Sequence, residues 1–173
     1  MHVDLLRDTA STLPDWPSPK SITSLKVWHC GFRSLAPISA LSNLQRLVIA
    51  SYPDDTFQPL SELEFLEELE ILHFPRVTSL TPLGSLPALR SLSLASLPSW
   101  DASSKRLQVE SLSPLAALPR LEVLHLVGVV PPHKLLSELE SSKSLKAARF
   151  HGYAKSELER FFAATGIAHA GAA

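Results

Sequence analysis

The chain has 173 residues, is 45% hydrophobic and has a formal net charge of -1, which predicts one domain and gives no electrostatic basis for binding nucleic acid or an anionic membrane. Its single cysteine, Cys30, excludes an intrachain disulfide, and no stretch approaches the roughly 18 apolar residues of a membrane span. The first residues lack the basic start and apolar run of a secretory signal, so we expect a cytoplasmic protein without a nucleic-acid or membrane partner, unless a dedicated machinery secretes it.

Residues 1–20 are expected to form an N-terminal cap. The apolar residues of M-H-V-D-L-L-R are spaced to lie on one face of a short helix. The following T-L-P-D-W-P-S-P-K is too rich in proline for a regular element. Because a repeat follows, Leu13 and Trp16 are expected to cover the open apolar edge of its first coil.

A leucine pattern recurs along the middle of the chain. The stretches 37–49, 59–71, 82–94 and 114–126 align without a gap, and partial copies flank them at 22–27 and 145–150. Steps of three residues suit a compact turn, and a closing step of two suits a strand with alternate side chains turned inward. Equivalent strand positions are 22, 22, 23, 32 and 24 residues apart, the spacing of a solenoid with the L-x-x-L-x-L repeat. These positions are Leu25, Leu47, Leu69, Leu92, Leu124 and Ala148.

Each coil is expected to carry a short helix or 3₁₀ turn opposite its strand. A proline precedes the leucine run and suits the first helical position, where its missing N–H is no loss. Thr81 and Ser113 come just before that proline and are expected to be N-caps. Residues 21–153 are therefore predicted to form a solenoid of about six coils.

The interval between the fourth and fifth strands is about ten residues longer than the others. The excess falls at P-S-W-D-A-S-S-K-R-L-Q, residues 98–108, and predicts an insertion loop. This loop is either solvated and mobile or, through Trp100 beside Asp101, Lys105 and Arg106, a second contact with a partner.

Residues 154–173 are predicted to be a C-terminal capping helix with a tail. Ser156 and Glu159 fit a capping box, Phe161 belongs to an apolar stripe, and Gly166 is a helix stop. The last seven residues are expected to be frayed.

The unit Ser/Thr-Pro-Leu-x-x-Leu-x-x-Leu-x-x-Leu-x-Leu at 81–94 and 113–126 resembles the short repeats of bacterial internalin-type and phosphatase-regulator-type leucine-rich-repeat proteins. The resemblance covers about residues 20–153. It implies an α/β fold: a right-handed solenoid with a curved parallel β-sheet on the concave face and short helices or 3₁₀ turns on the convex face. Those families usually carry Asn three residues after the last strand leucine. Here that position holds mostly apolar residues: Cys30, Tyr52, Phe74, Leu97, Val129 and Tyr153.

The residues between the inward strand leucines are expected to line the concave face, with equivalent residues of adjacent coils about 4.8 Å apart. Arg46 and Glu68 are therefore expected to form an ion pair. Mixed charge with isolated aromatic residues is typical of a protein-binding surface. The candidate partner-binding residues, including one from the insertion, are Trp28, Lys26, Arg46, Glu68, Glu70, His73, His125, Arg149, His151 and Trp100.

Signatures of catalysis are sparse. His29 and Cys30 are adjacent in a predicted strand, so they are expected to face opposite sides and not to form a nucleophile–base pair; Cys30 is expected to be buried. His125 and His151 share the concave face but lack a third metal ligand, and Arg149 beside them opposes a cation. No P-loop, dinucleotide fingerprint, zinc cysteine pair or nucleophile elbow is present, so we expect no catalytic residue, cofactor or metal.

These patterns predict a non-catalytic protein–protein interaction module, monomeric in isolation, that binds another protein through its concave face. Within this class an adaptor, an inhibitor or immunity-type partner of a toxin or enzyme, and a secreted effector remain open, and an enzyme or a passive structural element are the other classes. The acidic stretch 61–70 is either a solvated repeat surface or a docking patch for a basic partner. High alanine and leucine usage with few lysines is typical of a bacterial genome rich in G and C.

Overall fold

The computed structural model describes residues 1–171, and the side chain of Asp101 lies outside the described part. The strands are β1 (His2–Leu6), β2 (Ser24–Trp28), β3 (Arg46–Ala50), β4 (Glu68–Leu72), β5 (Ser91–Ala95), β6 (Leu107–Gln108), β7 (Val123–Val127), β8 (Val129–Val130), β9 (Ala147–His151) and β10 (Ala168–His169). Within the described chain, eight of them form one parallel sheet in the order β1-β2-β3-β4-β5-β7-β9-β10. This arrangement confirms the predicted α/β solenoid.

The strands pair in the register that the leucine spacing predicts. Leu47 lies beside Leu69, Leu69 beside Leu92, and Leu92 beside Leu124. Because side chains alternate along a strand, this register turns the second and fourth residues of each repeat strand into the interior. The 22- to 24-residue period and the 32-residue interval therefore end in the same alignment of coils.

Each coil contributes a set of leucines to one continuous core. In the coil that ends with β5 these are Leu83, Leu86, Leu89, Leu92 and Leu94, and each is 0% exposed. Burying a leucine side chain contributes about 1.5–3 kcal/mol before the entropy of ordering the chain is subtracted. The three leucines before the strand pack from the convex side, and the two strand leucines pack from the sheet.

Short helices connect the strands on the convex side, as predicted. Over residues 1–171, no helix combines the length and apolar character that crossing a membrane requires. The convex segments are 3₁₀ helices at Pro19–Ser21, Ala36–Ala40, Gln58–Leu60, Thr81–Ser85 and Ser137–Ser141, and the α-helix α2 at Ser113–Ala116.

The prediction that Thr81 and Ser113 are N-caps is wrong. Each is the first residue of its helix, and the preceding leucine occupies the N-cap position. The backbone N–H of Thr81 donates to Ser79 Oγ at 3.4 Å, and that of Ser113 donates to Ser111 Oγ at 3.0 Å. A hydroxyl two residues before the helix therefore satisfies the free N–H, as a Ser/Thr turn does.

The N-terminal segment begins with a strand, so the expected short helix is wrong. Val3 lies beside Leu25 and Leu5 beside Val27 in the parallel sheet. Leu13 is buried at 7% exposure, and Trp16 packs partly buried against the core. The division of the chain into cap, solenoid and C-terminal segment stays a prediction.

The insertion is ordered into regular structure instead of the predicted loop. It contains the helix α1 (Pro98–Ala102) and β6, which pairs with β8 in a separate parallel ladder, Leu107 beside Val129. Leu107 and Val109 are 3% and 2% exposed. These apolar residues anchor the end of the insertion in the core, so the longer interval between coils does not interrupt it.

The C-terminal segment forms the helix α3 (Lys155–Thr165), which Gly166 ends in the left-handed conformation at φ 69°, as predicted. The predicted capping box is wrong, because Ala154 is the N-cap and Ser156 lies inside the helix. The tail is not frayed as far as it is described: Ala168 of β10 pairs with Ala147 of β9. Residues 172–173 lie outside the described part of the chain.

The apolar residues that replace the asparagine position pack along the interior. Tyr52 contacts Phe57 with ring centroids 5.0 Å apart, and Phe57 contacts Phe74 at 5.3 Å. The hydroxyl of Tyr153 donates to the carbonyl of Val129 in the preceding coil at 2.9 Å. Aromatic packing, with a hydroxyl donor at one coil, thus serves where an amide ladder was the alternative.

Candidate functional site

The candidate site is the concave face, the exposed side of the main sheet formed by the first, third and fifth residues of the repeat strands. The strand register lines these residues up in columns, about 4.8 Å apart from strand to strand. The first column is His2, Ser24, Arg46, Glu68, Ser91, Val123 and Ala147. The third column is Asp4, Lys26, Val48, Glu70, Ser93, His125 and Arg149. The fifth column is Leu6, Trp28, Ala50, Leu72, Ala95, Val127 and His151.

One end of the concave face carries paired charges and an aromatic ring. Arg46 Nε lies 3.5 Å from Glu68 Oε2, as predicted, and the Lys26 ammonium lies 4.7 Å from the centre of the Trp28 ring. Both side chains of the ion pair are more than half exposed, so the pair contributes only about 0–1 kcal/mol to stability. These groups are therefore available to a partner. They border a depression of about 410 Å³ that also reaches Glu70.

The middle of the face centres on His125. Its strand neighbours in the third column are Ser93 and Arg149. Partial burial, and then the positive charge of Arg149, lower the pKa of His125 below its ordinary value of 6.5, while Glu70 opposes this effect. The imidazole is therefore neutral at pH 7. Its Nε2 is buried and has no hydrogen-bond partner among the described residues.

The fifth column is apolar from one end of the solenoid almost to the other. Leu6 to Val127 span six strands, which corresponds to about 24 Å. Trp28, Leu72 and Val127 are half-buried, so part of each side chain remains open to contact. The repeat alignment places Leu72 and Val127 on this face, but selecting only charged and aromatic residues there misses them. Their shared apolar character along one column is the signal that identifies them.

Two of the predicted binding residues, His73 and Trp100, lie off the concave face. His73 follows β4 at φ 66°, in the left-handed turn that equivalent residues such as Ser51 and Gly128 also adopt. Trp100 of α1 packs edge-on against His73, with ring centroids 4.8 Å apart. Burial lowers the pKa of His73. The insertion thus covers the end of β4, and these two residues form a contact with each other beside the face.

His29 and Cys30 lie after β2 and not within it, so the predicted strand placement is wrong. His29 adopts φ 51°, and its Nδ1 lies 2.9 Å from Ser51 Oγ. Cys30 is half-buried, less than predicted, and its Sγ donates to the carbonyl of Leu5 at 3.3 Å. Both residues are thereby tied to neighbouring coils.

No three side chains of the metal-binding types His, Cys, Asp and Glu cluster anywhere in residues 1–171. His125 and His151 are on neighbouring strands, but the register sets Arg149 opposite His125 and Val127 opposite His151. A guanidinium therefore lies in the row where a second metal ligand would be needed. The arrangement suits contact with polar and apolar groups of a partner better than coordination of a cation.

The parallel ladder, the leucine-filled interior and the short convex helices define a leucine-rich-repeat solenoid, a fold that typically binds proteins. The structure is similar to that of internalin C2 from Listeria monocytogenes strain 4b F2365, with a TM-score of 0.52 and 20% sequence identity over 81% of this chain and 57% of the internalin chain. An internalin, InlF, from the same strain gives a TM-score of 0.49 and 18% identity over 85% of this chain and 47% of its own. The sequence matches no protein-family model and no curated protein.

This likeness concerns the fold alone. The chain spans little more than half of the internalin C2 chain. The particular protein is therefore described as a leucine-rich-repeat protein with an internalin-like solenoid, and its binding activity is argued from its own residues below.

Proposed function

We propose that the protein is a non-catalytic protein–protein interaction module that binds one partner protein through the concave face. The observation that carries this proposal is the apolar fifth column running beside the charged third column. Protein interfaces combine an apolar core with aromatic anchors and a polar rim, and both parts occur side by side on this face. The named binding residues are Trp28, Lys26, Arg46, Glu68, Glu70, His125, Arg149 and His151, with Leu72 and Val127 added from the fifth column.

The scaffold suits binding because the sheet holds the columns in place before a partner arrives. Leu69 and Ile71, which alternate with the exposed residues of β4, are 2% and 0% exposed, so the strand is fixed from its inner side. Preorganised side chains lose less conformational entropy on association than flexible ones. Trp28 is the expected anchor, because buried tryptophans often cost 2 kcal/mol or more when truncated at an interface.

The proposal includes a monomeric, cytoplasmic protein whose finer role is that of an adaptor, an inhibitor or immunity-type partner of a toxin or enzyme, or an effector. A partner of known activity distinguishes these roles, since an inhibitor reduces the activity of its partner on binding and an adaptor does not. An enzymatic role would instead require an activity that is lost when His125 or His151 is replaced.

Affinity purification from lysate of the source cells tests the proposal. The tagged protein is compared with the triple variant Trp28→Ala, Glu70→Ala, Arg149→Ala. A matched control, Phe65→Ala, Glu64→Ala, Lys20→Ala, removes one aromatic, one acidic and one basic exposed side chain from outside the concave columns. We expect a partner that the wild type and the control both retain and the concave-face variant loses. A partner set that is unchanged in the concave-face variant would refute binding through this face.

A further inference from the structure

A second charged surface lies along the edge of the sheet at which the strands begin. Arg90, Glu122 and Lys146 immediately precede β5, β7 and β9, and Arg120 and Lys143 precede them in the loops that lead to β7 and β9. Together these residues border an open cleft of about 450 Å³ that spans three successive coils. Residues from separate coils, up to 56 positions apart in the sequence, thus line one concavity.

The cleft is rich in positive charge. Its lining contains four cationic side chains and one carboxylate, Glu122. Glu122 Oε1 lies 3.0 Å from Arg90 Nη2 and 3.2 Å from Lys146 Nζ, so this single carboxylate is shared by two cations. Arg120 and Lys143 are exposed, and neither has an acidic partner within residues 1–171. The local excess of three positive charges occurs on a chain whose formal net charge is -1.

The stability of the fold does not account for this excess. Exposed ion pairs contribute about 0–1 kcal/mol each, and Arg120 and Lys143 gain no such pair. Like charges gathered in a cleft repel one another, and they raise the local concentration of anions instead. The cleft therefore has the electrostatics of an anion-binding site.

We propose that this basic cleft binds an acidic peptide segment, a run of aspartate or glutamate residues in a partner protein. The cations are distributed along three coils about 4.8 Å apart and do not converge on one point, which suits carboxylates spaced along a chain better than one compact anion. The open cleft is also far larger than a single carboxylate. This site is separate from the concave face, and its test uses a probe that requires none of the residues named under the proposed function.

Fluorescence anisotropy with a labelled deca-glutamate peptide tests the proposal, with a deca-lysine peptide as the opposite-charge probe. Measurements at about 20 mM and about 150 mM salt separate screened from unscreened conditions, because the Debye length falls from about 20 Å to about 8 Å. We expect the wild type to bind deca-glutamate, to bind it more weakly at the higher salt concentration, and not to bind deca-lysine comparably.

The decisive variant is Arg120→Gln with Lys143→Gln, and its matched control is Lys20→Gln with Arg33→Gln. Both pairs are exposed, and both changes lower the formal net charge from -1 to -3, so a nonspecific effect of net charge is the same in each. We expect the cleft variant to bind deca-glutamate roughly five- to thirty-fold more weakly than the control does, from two lost charge contacts. Glu122→Gln removes the competing carboxylate and is expected to strengthen binding.

Equal loss of binding in the cleft variant and the control would overturn the proposal. Displacement of deca-glutamate by inorganic phosphate at constant ionic strength would contradict the peptide assignment. Circular dichroism of each variant checks that the solenoid is folded. Loss of the concave-face partner leaves this measurement unaffected, so the two proposals fail separately.

Discussion

Glu157 of α3 is the residue whose replacement most directly tests how neighbouring coils are joined. Its side chain is 8% exposed, and its Oε1 accepts the backbone N–H of Leu136 at 2.7 Å. Leu136 is 0% exposed and is the N-cap of the convex 3₁₀ helix Ser137–Ser141. The same contact recurs elsewhere, since the N–H of Leu35 donates to Asp54 Oδ2 at 2.8 Å. A carboxylate from the next coil thus satisfies a buried donor before the convex helix.

The cost of removing this carboxylate follows from its partners. A hydrogen bond to a charged group contributes about 1.5–3 kcal/mol, and a buried donor left without an acceptor costs about 1–3 kcal/mol. Arg160 is partly exposed at 44% and can be hydrated when Glu157 is removed, so no buried charge is left behind. We therefore expect Glu157→Ala to lower the free energy of unfolding by about 2–3 kcal/mol.

Urea denaturation followed by circular dichroism measures this change. The matched control is Glu159→Ala in the same helix, whose carboxylate is 66% exposed and lies 3.6 Å from Lys155 Nζ, and it is expected to change stability by less than about 0.5 kcal/mol. The midpoint should fall for Glu157→Ala with an unchanged m-value. A loss no larger than that of the control would refute the assigned role of Glu157.

The same carboxylate makes stability depend on pH. The Arg160 guanidinium, and to a smaller extent the N–H of Leu136, hold the pKa of Glu157 below its ordinary value of 4.5, although burial opposes them. Its stabilising effect is therefore complete above about pH 4.5 and is lost as the pH falls through the lowered pKa. We expect Glu157→Gln to show a smaller loss of stability than the wild type between neutral pH and this acidic range. Parallel pH profiles of the two proteins would contradict this explanation.

The remaining predictions concern packing. Gly128→Ala should destabilise the fold by about 1–3 kcal/mol, because Gly128 has φ +68° and a Cβ would lie within van der Waals overlap of Ser96 Oγ; Gly171→Ala, which meets nothing within 4 Å, should have no effect. Thermal unfolding of both variants checks this, and equal melting temperatures would contradict it. Leu92→Ala should cost about 2–5 kcal/mol because Leu92 is 0% exposed. Leu6→Ala, at a position 57% exposed, should cost less than 1 kcal/mol in the same urea titration, about the ordinary range for surface changes.

The leucine period was sufficient to predict the columns of the concave face. Because strand side chains alternate with a period of two, fixing Leu47, Leu69 and Leu92 as inward residues also fixes which neighbours face outward. The pairing of Arg46 with Glu68 shows this, since the predicted register brings their side chains together at 3.5 Å. A repeat makes such inference strong, because every coil reports on the same geometry.

Other parts of the site were not predictable in this way. Nothing in the short pattern of β1 distinguishes a strand from a helix, yet Val3 and Leu5 lie exactly one coil length, 22 residues, before Leu25 and Val27 and adopt the strand that the sheet edge offers. His73 leaves the concave face because the chain turns through a left-handed conformation after β4. Its position depends on the backbone turn and not on the strand period.

The sequence by itself determined the solenoid, its strand register and the identity of the outward columns, because these depend on a local hydrophobic period repeated coil after coil. Only the tertiary structure decided that the insertion folds into α1 and β6, that Glu157 reaches the backbone of Leu136, and that Arg90, Arg120 and Lys143 meet in one cleft. Those contacts join residues of different coils through side chains that follow no period. Their positions become defined only when the coils stack.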